Sequence, residues 1–178
     1  MEHVMERTGT TAAYKVKMLV MTALFIALGY VATTVLMVPS PTGGYMNLGD
    51  CVVILAGCLL GPAGGAAAGG IGSALADLLA GYPAYVPATL VIKAIMGALV
   101  GGIYRRSRRL LPLGALAAET VMVLGYWLFD GFLMGSLAGS AAGIPSNLMQ
   151  AVFGMAAALA LAAALGRSRQ VREWFPGF

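Results

Sequence analysis

Charged residues are scarce in this chain. They make up 10% of its 178 residues, against 60% apolar residues and 25 glycines. A water-soluble domain carries about 25% charge, so composition excludes a soluble fold. Histidine occurs once, as His3 in the opening tail, which excludes both metal sites built from several imidazoles and a general-base histidine inside the membrane. No cofactor and no metal are expected. The two cysteines, Cys51 and Cys58, lie seven apart on an apolar run, a spacing that suits neither a metal knuckle nor a redox pair and reads as packing. No GxxxxGK[ST] string is present, so the chain by itself cannot cradle and hydrolyse ATP. The run GGIGSALAD superficially resembles a dinucleotide-binding turn, but it follows no strand and is embedded in an apolar hairpin. Ser73, one turn before Asp77, is the nearest approach to a nucleophile with a base, and without a histidine or a patterned second aspartate it carries no catalytic assignment.

What the chain has in abundance is long apolar runs. Since about 20 apolar residues cross the hydrocarbon layer as a helix, the length accommodates roughly five or six crossings with short loops. The charged opening from Met1 to Lys17 leads into a long apolar run rather than a short one with a cleavage site, so the first helix is expected to stay in the mature protein. Hydropathy and punctuation predict a first helix from about Lys17 to Val38, closed by a loop containing Pro39, Pro41, Gly43 and Gly44. A second runs from Gly49 to Gly61-Pro62. It is short for a full crossing and therefore either starts inside the loop or is sheltered by its neighbours. A third follows from Ala63 to Ala80, and the Gly81, Tyr82, Pro83, Pro87 stretch breaks the pattern. The fourth extends to Tyr104, with Pro87 in its first turn, the fifth from Pro112 to Met134, and the sixth from Ile144 to Leu165. The expectation is an all-α membrane protein, a six-transmembrane-helix bundle. It has a segment 1–16, a membrane domain 17–166 and a tail 167–178.

Orientation follows from the cations, because short cytoplasmic segments keep Lys and Arg while translocated ones lose them. With six crossings the two termini and the loop between the fourth and fifth helices share one side, which holds Arg7, Lys15, Lys17, Arg105, Arg106, Arg108, Arg109, Arg167, Arg169 and Arg172. The loops on the other side have no Lys or Arg. Both termini are predicted to be cytoplasmic. This asymmetry accounts for the net charge of +4 without a nucleic-acid partner, and Lys93 is the one cation it leaves over.

An ammonium within a membrane helix costs a few kcal/mol unless it finds a partner or water. Asp50, Asp77 and Asp130 lie at similar depth, so Lys93 reads either as half of a structural ion pair, as a snorkelling lysine, or as part of a ligand site. Clustering favours a site. Tyr45 and Asn47 precede the second helix, Tyr82 and Tyr85 lie between the third and fourth, Tyr126 and Trp127 are in the outer half of the fifth, and Asn147 and Gln150 open the sixth. Glu119, Tyr126 and Asp130 share one helical face, as do Asn147 and Gln150. An interfacial aromatic belt accounts for individual tyrosines but not for convergent amides and charges. The candidate binding residues are therefore Tyr45, Asn47, Asp50, Tyr85, Lys93, Tyr126, Trp127, Asp130, Asn147 and Gln150. Glu119 lies deeper, where a helix-helix hydrogen bond or a conformational role is open. Small residues four apart, Ala23 and Ala27, then Gly65, Gly69 and Ser73, then Gly97 and Gly101, mark close helix approach within the bundle or with another membrane protein.

The run from Met46 to Gly102, MNLGDCVVILAGCLLGPAGGAAAGGIGSALADLLAGYPAYVPATLVIKAIMGALVGG, closely resembles the S components of energy-coupling factor (ECF) vitamin transporters. It is most similar to those typed as ECF riboflavin-transporter S components, a group that includes hydroxymethylpyrimidine and pyridoxine-type members. AAETVMVLGYWLFDG and IPSNLMQAVFG continue the likeness over nearly the whole chain. The resemblance implies a vitamin pocket near the outer face, built from the loop after the first helix with helices four, five and six. It implies as partners a membrane coupling protein and two cytoplasmic ATPases, which supply the missing nucleotide motifs. It also implies that Ala23 and Ala27, an AxxxA pattern in MTALFIALG, dock the coupling protein, and that the subunit topples in the membrane to deliver its ligand. A compact pyrimidine or pyridine vitamin is the first expectation and riboflavin the second. A solitary transporter or channel without the ATPase module, and a purely structural membrane subunit, are the readings from other classes.

Overall fold

The computed structural model describes residues 2–175 and 178, with side chains described from residue 12 onward, so the side chains of His3 and Arg7 lie outside the described residues. The chain is a helical bundle: α1 (Glu2–Val35), α2 (Gly49–Leu79), α3 (Val86–Arg106), α4 (Leu111–Met134), the one-turn α5 (Leu137–Ser140), α6 (Ile144–Leu165) and α7 (Arg169–Trp174). Among the described residues, five segments are long and apolar enough to cross a membrane, Ala12–Val35, Gly49–Leu79, Val86–Arg106, Arg108–Met134 and Leu137–Leu165.

Two boundaries differ from expectation. The first helix begins at Glu2 rather than Lys17, since residues 2–16 contain no proline, and Gly9 and the threonines beside it lower helix propensity without breaking the helix. It stops at Val35, and the following loop holds a short antiparallel pair, β1 (Val38–Pro39) with β2 (Tyr45–Met46), in the place of wholly irregular backbone. The turn between them depends on Gly43, whose φ of 98° is open to glycine at little cost.

The expected second and third helices run on as one element, α2, interrupted at Gly61 (φ 76°, ψ −173°) just before Pro62. This break reverses the chain. In a continuous helix residue 65 stands about 12 Å beyond residue 57, yet a Cβ on Gly65 would lie 2.7 Å from the Gly57 Cα. One on Gly69 would lie 2.8 Å from Val53 Cγ1. Residues 49–60 and 62–79 are therefore antiparallel arms. The first arm is about 18 Å long, short of the roughly 30 Å hydrocarbon layer. It is buried at every residue except Leu59, so its neighbours shelter it, as its length requires.

Glycine makes this packing feasible. Added Cβ atoms at Gly57, Gly65, Gly69 and Gly70 would each fall 2.7–2.8 Å from a backbone oxygen of α3, belonging to Gly97, Gly97, Lys93 and Leu90 respectively. The small-residue stripes of α2 and α3 thus serve internal backbone-to-backbone contact. The core is formed by Val53, Ile54, Met96, Val100 and Met122, with Ala118 and Ala158 where α4 and α6 close in. Large apolar side chains such as Leu19, Leu24, Leu116, Leu128, Val152 and Phe153 point outward, the arrangement suited to lipid contact.

The bundle has two chemically distinct ends. At one, Tyr45, Tyr82, Tyr85, Asp130 and Ser146 converge from four connections and helix ends. At the other, Lys17 reaches the Trp174 carbonyl, Tyr104 stacks near Phe178 at 6.0 Å, and the Arg105–Arg109 cluster ends α3.

Candidate functional site: a polar pocket at one end of the bundle

Asp50 is the anchor. It stands in the first turn of α2, where the helix dipole favours a carboxylate, and it is fully buried. Lys93 of α3 pairs with its Oδ1, with side-chain exposures of 2% and 0%. Gln150 of α6 donates from Nε2 to Oδ2 at 2.6 Å. The same amide accepts the backbone N–H of Asn47 at 2.8 Å, and the Asn47 side chain in turn accepts the Gly49 N–H at 2.8 Å, a local turn at the entry to α2. Four expected site residues are thus one continuous network spanning the loop, α2, α3 and α6. Of the acids level with Lys93, Asp50 is its partner. The approach of α6 depends on Gly154, where a Cβ would lie 2.8 Å from Asp50 Cβ and 3.1 Å from Glu119 Oε1.

Above this network lies a polar pocket. Its walls include Tyr45, Asn47, Tyr85, Tyr126, Asp130, Asn147 and Gln150, seven of the ten expected residues. Tyr45 donates to Asp77 Oδ1 at 2.5 Å, Tyr85 donates to Asp130 Oδ1 at 2.8 Å, and Tyr126 and Thr89 share a hydrogen bond of 2.9 Å. The Tyr126 ring lies 5.6 Å from the Lys93 ammonium, joining pocket wall to ion pair. Burial, reinforced by the hydrogen bond and charge of Asp77, pushes the Tyr45 phenol well above its usual range. Burial and Asp130 do the same for Tyr85. Both phenols therefore stay protonated and act as donors at neutral pH.

Asp50 and Lys93 underlie the pocket rather than line it. Trp127 lies outside it, donating its indole N–H to the Leu137 carbonyl at 3.0 Å. Glu119 is buried, and neither carboxyl oxygen has a partner among the described residues, so it forms no helix-helix hydrogen bond. Asp77 accepts from Tyr45, not from Ser73, and Cys51 and Cys58 are buried free thiols. No group of residues suited to a metal ion occurs among the described residues.

The wall also contains residues that sequence reasoning left out, namely Ser40, Thr42, Gly44, Asp77 and Thr89. Thr89 was within reach, because Tyr85 at the N-cap of α3 and Thr89 and Lys93 within it recur every four residues. Ser40 and Thr42 carry no periodic signal. They enter because Ser40 bonds Ser146 across the pocket mouth at 2.9 Å and Tyr85 reaches the Thr42 carbonyl at 3.3 Å. The cavity volume is about 30 Å³, room for about two waters at about 10–15 Å³ each.

Residues 13–167 match the family model of the ECF-type riboflavin transporter S component. The chain belongs to that family. No curated protein matches it. This S component is a multi-pass membrane protein, and membership makes it a vitamin substrate-binding subunit of an ECF transporter, a transport subunit and not an enzyme. Family membership likewise implies association with an ECF module, comprising a T component and ATPases, and a small vitamin as substrate.

Proposed function

We propose that this S component captures a compact pyrimidine or pyridine vitamin with high affinity from outside the cell and hands it to an ECF module whose separate ATPases supply the energy. Riboflavin is the second choice. The observation that carries this reading is the convergence of Tyr45, Tyr85, Tyr126, Asp130, Asn147 and Gln150 on one pocket of flat aromatic walls and hydrogen-bonding groups. Aromatic faces with a few fixed polar groups suit a small heterocycle. Counting the two arms of α2 separately supports a reading of six membrane helices, the first arm being sheltered by its neighbours and too short to cross on its own. The arginine-rich end and both termini are then assigned to the cytoplasm and the pocket to the outer face of a bacterial membrane, in keeping with the distribution of cations.

A vitamin enters only when the wall moves. The loop between α1 and α2 contributes Ser40, Thr42, Gly44, Tyr45 and Asn47 to that wall, and four side-chain ties hold it among the described residues: Tyr45 to Asp77, Ser40 to Ser146, Tyr85 to the Thr42 carbonyl, and Gln150 to the Asn47 N–H. Binding replaces these ties with ligand contacts. For the coupling protein we assign the outward face of α1, where Ala23 and Ala27 are exposed beside Leu24 and Leu28 and only 11% of the apolar window is buried.

Mass spectrometry of small molecules released from freshly purified protein tests the reading. A stoichiometric pyrimidine, pyridine or flavin is the expected result. Absence of any released vitamin, together with no thermal shift across a vitamin panel, would reject it.

A further inference from the structure

The phenols of Tyr45 and Tyr85 are already engaged as donors, while two carboxyl oxygens of the wall are not engaged as acceptors. Tyr45 and Tyr85 donate to Asp77 and Asp130, Tyr126 is bonded to Thr89, and Gln150 has both ends of its amide in use. Lys93 spends its charge on Asp50 and does not line the pocket. Three groups remain. Asp77 Oδ2 is buried in the pocket wall with no hydrogen-bond partner among the described residues, on a residue only 5% exposed. Asp130 uses only Oδ1, and the Asn147 amide, nine-tenths buried, makes no hydrogen bond to any described residue. The wall thus offers two half-used carboxyl groups and one free amide, and it contains no lysine or arginine.

Resting on the vitamin reading above, we infer that this pocket selects a flat heterocycle bearing an amino group or protonated ring nitrogen and excludes its phosphorylated or carboxylated forms, with Asp77 Oδ2 as the anchoring acceptor. A ligand N–H meets an acceptor whose burial without a partner is costly, so the bond relieves a penalty that free protein carries. The same pair is charge-assisted, and a cationic ring gains further from the surrounding tyrosine faces. A phosphate in this place would face Asp77 and Asp130 with few free donors and no cation, and like-charge juxtaposition discriminates strongly against it.

Isothermal titration of the detergent-purified chain tests this with matched probes: 4-amino-5-hydroxymethyl-2-methylpyrimidine against its monophosphate, pyridoxamine against its 5′-phosphate, and riboflavin against its 5′-phosphate. The expected result is binding of an amino-bearing, phosphate-free probe at least about tenfold tighter than its phosphate, an energy gap of about 1.4 kcal/mol. Asp77→Asn should weaken that probe by at least about tenfold. Glu173→Gln removes an equal charge at the far end of the bundle and should leave binding unchanged. Asp130→Asn reads the second free carboxyl oxygen independently if Asp77→Asn fails to fold. Equal or tighter binding of a phosphate, or unchanged affinity in both aspartate variants, overturns this inference while the vitamin reading stands. Binding of no probe at all removes both.

Discussion

Lys93 and Asp50 sit 43 residues apart in the chain and meet as a buried ion pair, with Gln150 holding the carboxylate oxygen that the lysine leaves. The pair joins α3 to the start of α2, and through Gln150 it joins both to α6. Its role is to fix the register of three helices beneath the pocket, because a buried pair contributes less to net stability than to the cost of breaking it.

Lys93→Met leaves Asp50 buried without its cation and should destabilise the protein by about 3–5 kcal/mol, whereas the double variant Lys93→Met/Asp50→Leu should recover most of that loss. Thermal unfolding in detergent reads both. A single variant as stable as the parent would show that the pair is not formed.

Gly65→Ala would press a Cβ to 2.7 Å from the Gly57 Cα and the Gly97 oxygen, both backbone. A cost of about 1–3 kcal/mol is expected from overpacking. Gly102→Ala serves as control, having nothing within 4 Å of its Cβ, and should be neutral. Equal midpoints for the two would argue against the folded-back hairpin of α2.

Ligand affinity should fall about tenfold in Asn147→Ala, the loss of one hydrogen bond to a buried group, and should be little changed in Trp127→Ala. Titration with the vitamin identified by mass spectrometry distinguishes them. The reverse ranking would move the site toward the Trp127–Leu137 corner.

Ala23→Leu/Ala27→Leu should leave ligand binding intact and reduce copurification of the coupling protein from the native host. Unaltered copurification would remove α1 as the docking face.

Alkaline pH supplies a further check. The Tyr45 and Tyr85 phenols have folded-state pKa values raised above the ordinary 10.0, first by burial and then by their aspartate partners. Their contribution is therefore complete below about pH 10 and declines as pH rises beyond it, since the unfolded phenols ionise first. Thermal midpoints should be insensitive to these groups from pH 6 to 9 and fall above 10, with a shallower fall in Tyr45→Phe/Tyr85→Phe. An equally steep fall in the double variant would assign the loss to other groups.

Sequence alone determined the class and most of the helix plan, because membrane insertion depends on apolar length and on where Lys and Arg lie, and both are local properties of the chain. The span Ile144–Leu165 and the end of α4 at Met134 agree with expectation for that reason. The polar end of the bundle was equally legible, since depth along a helix is a count of residues. What only tertiary structure decided is pairing. Asp50, Asp77 and Asp130 are at similar depth, and no local rule assigns Lys93 to the first, Tyr45 to the second and Tyr85 to the third. Those choices depend on how the Gly61 reversal and the glycine contacts of α2 with α3 rotate each helix. That rotation also places Trp127 outside the pocket and Asp77 Oδ2 inside its wall with no hydrogen-bond partner among the described residues.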